Sequence, residues 1–253
     1  MNPYLVIILD IMMKKGCTIL ALLFTINAIA QPPQKKVLVF SRTLGYHHAS
    51  IPEGIAAIQQ LGAQHQLGVD TTTNSAWFTT DTLRHYAAVI FLSTSGEVLD
   101  SAQQRAFQKY IRAGGGYMGI HAASTTCYSW PWYGRLVGAY FNGHPKPQEA
   151  IVNVIDHQHA TTRHLPVKWK WLDEWYNFKA LPTDVHILLK VDETTYTGGK
   201  HGADHPIAWY HEFDGGRAFY TALGHFGTSY KEPLFLQHLW EGIVYVTGPG
   251  LPG

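Results

Sequence analysis

The sequence is poor in cysteine, in net charge and in long apolar runs. Only Cys17 and Cys127 occur in 253 residues, so a disulfide framework is excluded, and no paired CxxC is present. Lys plus Arg number 19 and Asp plus Glu 18. That balance gives no electrostatic reason to expect nucleic acid or an anionic membrane surface as partner. The apolar run Gly16–Ile26 is too short for a comfortable membrane span. HExxH is absent, as are internal repeats and low-complexity tracts. Two residue classes are abundant instead. There are 15 histidines, all at or beyond His47, and aromatics make up 13%, with 8 Trp and 14 Tyr. Aromatic faces serve both as core and as platforms for sugar rings.

Lys14-Lys15, the apolar run and Ala28-Ile29-Ala30 have the layout of a secretory signal peptide, cut after Ala30. The expectation is therefore a signal peptide over 1–30 and one domain over 31–253, periplasmic or secreted, with initiation at Met12 or Met13. Cleavage removes Cys17, so Cys127 is alone. No cysteine sits at the boundary, so no lipid anchor is expected.

The first half alternates buried strands and amphipathic helices. Val37–Phe40, His65–Asp70, Ala87–Ser93 and Tyr117–His121 read as strands. Helices are predicted from Ser50 to Gly62, with a capping box at Ser50 and Glu53, over Thr80–Tyr86, and over Ser101–Ala113 before three glycines. The order predicts an α/β fold, a mostly parallel sheet with helices on both faces. Ligands then bind beyond the carboxyl ends of the strands, where loops 43–50, 94–98 and 122–132 emerge. The second half is β-rich: strands over Ile151–Ile155, Val185–Val191, Ile207–Phe213 and Arg217–Leu223, a hairpin at Asp214-Gly215-Gly216, and a last helix from Pro233 to Val246.

The sharpest local feature is GGYMGIHAAS, Gly115 to Ser124. A buried strand delivers His121 between small residues, the layout of a nucleophile elbow with histidine in place of cysteine or serine. Histidine there suits a base, an acid or a metal ligand. In DEWYNF, Asp173 to Phe178, extended backbone puts Glu174, Tyr176 and Phe178 on the face opposite Asp173. His201 to His205 holds two imidazoles and Asp204, and His225 follows the last strand. These groups suit zinc or another first-row divalent metal, though their spacing is long-range. His48 is the candidate from the first rim loop, beside Tyr46; Asp156, His157 and His159 form a further rim segment. Trp130, Trp132 and Trp175 are candidates for sugar stacking. His65, His85, His164, His186, His211 and His238 read as surface or packing residues, as do the other tryptophans, and Cys127 as an inert thiol.

From about Lys36 to Gly248 the chain resembles the ThuA-like family. The matching segments are VLVFSRTLGYHHASI, GGGYMGIHAAS, FNGHP, DEWYNF, HPIAWYHE and GRAFYTALGH, in that order. The resemblance implies a flavodoxin-like fold related to class I glutamine amidotransferases. Those enzymes carry cysteine on the elbow; His121 stands there here, so thiolate amide hydrolysis is not expected. It also implies utilisation of trehalose or related disaccharides as 3-keto-glycosides made by a partner sugar oxidoreductase. The expected chemistry is a lyase, hydrolase or isomerase step with His121, Glu174, His205 and His225 as catalytic groups. Tyr46, His48, Ser124, Trp130, Asp173, Trp175, Tyr176 and Asp204 are the expected substrate contacts. The rival readings are a non-catalytic carbohydrate-binding protein and a structural component of an exported complex.

Overall fold

The computed structural model describes residues 35–249, which fall in one compact unit; the expected signal peptide lies outside them. In chain order the elements are β1 (Lys36–Phe40), α1 (Ile51–Gln64), β2 (Gly68–Thr72), α2 (Thr80–Leu83), β3 (Ala88–Leu92), β4 (Ser95–Gly96), α3 (Ser101–Arg112) and β5 (Gly116–Ile120). They continue with β6 (Thr125–Thr126), α4 (Pro131–Val137), β7 (Gln148–Val154), β8 (Lys168–Asp173), β9 (His186–Val191), β10 (Pro206–Phe213), β11 (Gly216–Thr221) and α5 (Pro233–Thr247).

Nine strands form one sheet in the order β2-β1-β3-β5-β11-β10-β9-β7-β8, while β4 and β6 pair separately. From β2 to β11 the neighbours are parallel. From β11 to β8 they are antiparallel. The β-rich second half is thus an extension of the parallel sheet. Its last strand inserts at the centre, with Phe219 opposite Met118.

Successive residues on β5 point to opposite faces. Tyr117 packs with Phe107 of α3, while Met118 and Phe219 meet Gly242 of α5. Helices therefore cover both faces. β1, β3 and β5 are fully buried over nearly their whole length, as continuous apolar runs require. Gly116 is needed where β5 begins, because a Cβ there would collide with the backbone carbonyl of Val246. No helix among the described residues is long and apolar enough to cross a membrane.

Three expectations shift. The second strand is Gly68–Thr72, and His65 instead ends α1, its ring stacked 3.9 Å from Trp240. Ser50 does not cap α1; its hydroxyl donates to the Gly224 carbonyl at 3.1 Å, and so ties the first rim loop to the last. β8 and α4 were not anticipated. In β8, Trp169, Trp171 and Asp173 are buried, alternating with exposed residues.

The four steps from β11 to β8 are all antiparallel, so β8 points the same way as β11 and ends on the same rim. In a flat sheet, four strand spacings of about 4.8 Å would separate them by roughly 19 Å. The strands curl instead. Trp171 packs 5.8 Å from Phe235 of α5, and the Asp173 carboxylate accepts hydrogen bonds from the backbone N–H groups of Gly224 and His225 at 2.9 and 3.1 Å.

Candidate functional site

The rim of the sheet brings four segments together. His48 comes from the loop after β1, His121 from the tip of β5, Glu174 from the residue after β8, and His225 from the loop after β11.

The loop carrying His48 is stitched to β4. Leu44 N–H donates to the Ser95 carbonyl, Gly45 N–H to the Ser95 hydroxyl, and that hydroxyl to the Tyr46 carbonyl. His121 opens a short 3-10 turn with φ 51°, in the left-handed region. For a residue with a Cβ this conformation costs about 1–2 kcal/mol and is held by its surroundings. The clamps are visible. Its Nδ1–H donates to the Ala222 carbonyl at 2.7 Å, and its own carbonyl lies 2.8 Å from the Tyr220 hydroxyl. Gly119 makes room: a Cβ there would lie 2.7 Å from the Tyr117 hydroxyl and 3.2 Å from Ala123 Cβ. The elbow read from Gly119, His121 and Ala123 therefore exists as backbone geometry.

Glu174 is set by its neighbour. Asp173 is fully buried, and its two oxygens accept four N–H donors: Trp171 Nε1 and Gly224 N on one, Glu174 N and His225 N on the other. Beyond it, the chain pairs with Phe141–Gly143, through Asn142 N–H to the Asn177 carbonyl and Asn177 N–H to the Gly143 carbonyl. This pairing lays His144 over the site, its Nδ1 3.0 Å from Glu174 Oε1 and 2.8 Å from the Pro145 carbonyl.

At the centre, His121 Nε2 lies 3.1 Å from His48 Nε2, 3.3 Å from His225 Nδ1 and 3.0 Å from the Tyr176 hydroxyl. Glu174 Oε2 lies 3.5, 3.8 and 3.3 Å from those His121, His48 and His225 nitrogens. Burial alone would raise the Glu174 carboxyl. Hydrogen bonds from His121, His225 and His48 outweigh it and hold the group well below the usual carboxylate range. Burial lowers His225, yet the Glu174 carboxylate reverses the sign and the net direction is up. In His48 burial prevails and the direction is down. Burial, with Glu174 adding to it, pushes Tyr176 well above the ordinary phenol value, so it remains an O–H donor.

Of these groups, His48, Glu174 and Tyr176 line a pocket of about 470 Å³, within the usual size range for small-molecule sites, while His121, fully buried, and His225 stand directly behind them. Its walls are Tyr46, Tyr128, Phe141, His144 and Tyr176, with Gly45, Ser95, Gly96 and Thr125 at one side. Tyr46 is 69% exposed and so presents a free ring face.

Of the residues predicted from sequence, Tyr46, His48, His121, Glu174, Tyr176 and His225 are brought together. The others lie elsewhere. His205 is fully buried, with Nδ1 2.7 Å from Glu193 and Nε2–H donating to the Tyr176 carbonyl. It braces the segment that carries Tyr176 and does not enter the pocket. Asp204 faces solvent and pairs with Lys190 at 2.7 Å. Ser124 is sealed behind the elbow against Tyr220. Trp130 stacks on Trp132 at 5.0 Å, and Trp175 is buried with its Nε1–H on the Gln148 carbonyl, so neither offers a face to a sugar. Asp173 spends all its acceptors on the scaffold. Cys127 is buried, and burial raises its thiol to about 11. His144, Tyr128 and Phe141 were not singled out. The FNGHP segment was the available signal for two of them.

Residues 36–246 match the ThuA family, described as trehalose utilisation. No curated protein sequence matches the chain. A protein from Bacteroides uniformis described as ThuA-like has 24% identity and a TM-score of 0.72, over 86% of this chain and 93% of that one. Another from Parabacteroides merdae, also described as ThuA-like, has 19% identity and a TM-score of 0.71, over 87% and 92%. A Thermoplasma acidophilum protein described as a component of GMP synthase has 11% identity and a TM-score of 0.50, over 83% and 94%. The fold is thus shared with amidotransferase-type proteins, while His121 occupies the elbow. By the match over nearly all its described residues, the chain belongs to the ThuA family, which is linked to trehalose utilisation.

Proposed function

We propose that this protein is exported and acts on a disaccharide-derived sugar, a 3-keto-glycoside of the trehalose type, by acid–base chemistry in the His48–His121–Glu174–His225 pocket. The observation that carries this reading is the convergence of three imidazoles and a carboxylate under aromatic walls at the strand ends. A ketone at C3 acidifies the proton at C2. A base takes that proton: Glu174, which lines the pocket, or His121 acting from directly behind it. The electron pair forms the C1–C2 double bond, the C1–O bond breaks, and the departing oxygen takes a proton from an acid. His144 is placed for that role, half exposed above Glu174. His225 polarises the C3 carbonyl, a role His205 cannot fill from behind Tyr176. Tyr46, Tyr128 and Phe141 supply apolar faces for the sugar rings. The leader Lys14–Ala30 supports export, and the keto substrate implies an oxidoreductase acting upstream.

The test is product analysis after incubation with trehalose and with 3-keto-trehalose. Turnover of the keto sugar is expected, with loss of about 100-fold or more in His121→Ala and Glu174→Ala. Turnover that survives in both variants rejects the site. Saturable sugar binding without turnover assigns the pocket to a non-catalytic carbohydrate-binding protein instead.

A further inference from the structure

We infer that His48 Nε2, His121 Nε2, His225 Nδ1 and one Glu174 oxygen form a binding site for a single first-row divalent cation of the zinc type. The inference rests on the reading that this pocket is the functional site, and it names the group that does the polarising there.

Geometry is the first argument. One donor atom from each residue lies within 4.8 Å of every other. A tetrahedron with metal–ligand bonds of about 2.05 Å has edges of about 3.3 Å. Five of the six edges here measure 3.1, 3.3, 3.3, 3.5 and 3.8 Å. Four side chains from segments far apart in the chain thus sit at ligand spacing around one point.

Proton counting is the second argument. A ring nitrogen has either one hydrogen or one lone pair. His121 Nδ1 faces a carbonyl, which only accepts, so Nδ1 bears the hydrogen and the neutral ring offers a lone pair at Nε2. That single lone pair faces His48 Nε2, His225 Nδ1 and the Tyr176 hydroxyl together. One hydrogen bond can satisfy one of these contacts and leaves the rest crowded. A cation at the centre satisfies all four donor groups at once. The Nδ1–carbonyl bond is also the outer contact that typically fixes the tautomer and orientation of a metal-binding imidazole.

Donor chemistry is the third. Three imidazoles and a carboxylate suit zinc and its first-row neighbours, whereas magnesium and calcium prefer oxygen. The site opens into the pocket, so a substrate oxygen can approach a bound ion as a further ligand. His144 and the second Glu174 oxygen, outside this set, then remain free as acid and base for proton transfer.

The experiment uses the chain without a polyhistidine tag, stripped with chelator and dialysed. Zn²⁺ is titrated by calorimetry with metal content counted by mass spectrometry, and Co²⁺ is followed by its visible absorption. One tight ion per chain and the intense absorption of low-coordinate Co²⁺ are expected. His121→Ala and His225→Gln should each weaken binding by at least about 100-fold, since loss of a mere outer contact costs 10–100-fold. The exposed His85→Ala and His157→Ala variants should bind like the parent and so control for adventitious histidine binding. Circular dichroism identifies any variant that fails to fold, and His225→Gln, at the half-buried edge, is the less disruptive of the two. Absence of stoichiometric metal, or affinity unchanged in a folded His225→Gln, overturns the assignment. Sugar turnover is not read, so a metal-binding protein that leaves 3-keto-trehalose intact rejects the substrate and keeps the ion.

Discussion

Asp173→Asn is the substitution whose consequence follows most directly from geometry. The change is isosteric and removes one charge. All four partners of the carboxylate are N–H donors, two on each oxygen. An amide has one acceptor oxygen and one donor nitrogen. Whichever way it is turned, its NH₂ faces two donors, either the Trp171 indole and Gly224 N or Glu174 N and His225 N. Each buried donor left without an acceptor costs about 1–3 kcal/mol. The two bonds that survive also lose their charge assistance. Relief from burying a charge offsets part of this, so about 4 kcal/mol is expected. For a domain of this size that lowers Tm by roughly 8–16 °C. The damage is directional, because in either orientation a freed backbone N–H, that of Gly224 or those of Glu174 and His225, lies in a segment that positions the site. Ligand binding at the pocket should therefore weaken even at temperatures where the variant stays folded. Differential scanning calorimetry with parallel binding titrations measures both effects. Asp204→Asn is the control: that carboxylate is exposed and paired only with Lys190, and should change stability by less than about 1 kcal/mol. If Asp173→Asn melts within about 2 °C of the parent, the four-donor account of the rim is wrong.

Two further outcomes test the scaffold. His238 is fully buried, with Nδ1–H on the Thr161 carbonyl, and burial lowers its pKa from 6.5 to about 4. The unfolded chain then takes up this proton first as pH falls. The stability contribution is full above about pH 6.5 and lost on the way down to about 4. Between pH 7 and pH 5 the loss is about 2 kcal/mol. Urea unfolding of His238→Gln should show a pH dependence shallower by that amount, and an unchanged slope would refute it. Gly116→Ala drives a methyl into the Val246 carbonyl and should cost at least about 2 kcal/mol by chemical denaturation; a neutral result would mean that β5 and α5 are free to separate.

The inner parallel strands β1, β3 and β5 were legible because they are buried on both faces and so are written as unbroken apolar runs, as in Val37–Phe40 and Ala88–Leu92, whereas the half-exposed edge strand β2 carries no such run. β8 was legible in principle, since Lys168-Trp169-Lys170-Trp171-Leu172-Asp173 alternates with period two. Its charged lysines and terminal aspartate obscured it. The elbow was readable from Gly119 and Ala123, small residues where backbone and rings come close. The partners of His121 were harder. His205 opens one motif segment and His225 closes another, and nothing local separates them. Which imidazole enters the pocket depends on loop direction: His225 is aimed by Asp173 through its own N–H, while His205 turns inward to Glu193. The tryptophans misled for a related reason. Trp175 lies inside one motif and Trp130 shortly after another, but large flat rings next to a site are also what walls it from behind.

The position of β11 bears on how the chain is made. β5 takes β11 as its partner, and almost a hundred residues separate them in sequence. A chain synthesised only as far as β5 can pair β2, β1, β3 and β5, yet one side of β5 stays bare. That side is apolar and unprotected by charge or proline, the kind of edge that recruits foreign strands. The N-terminal half is therefore a poor candidate for independent life as a fragment. Truncation before Gly216 should yield aggregates rather than a smaller soluble sheet.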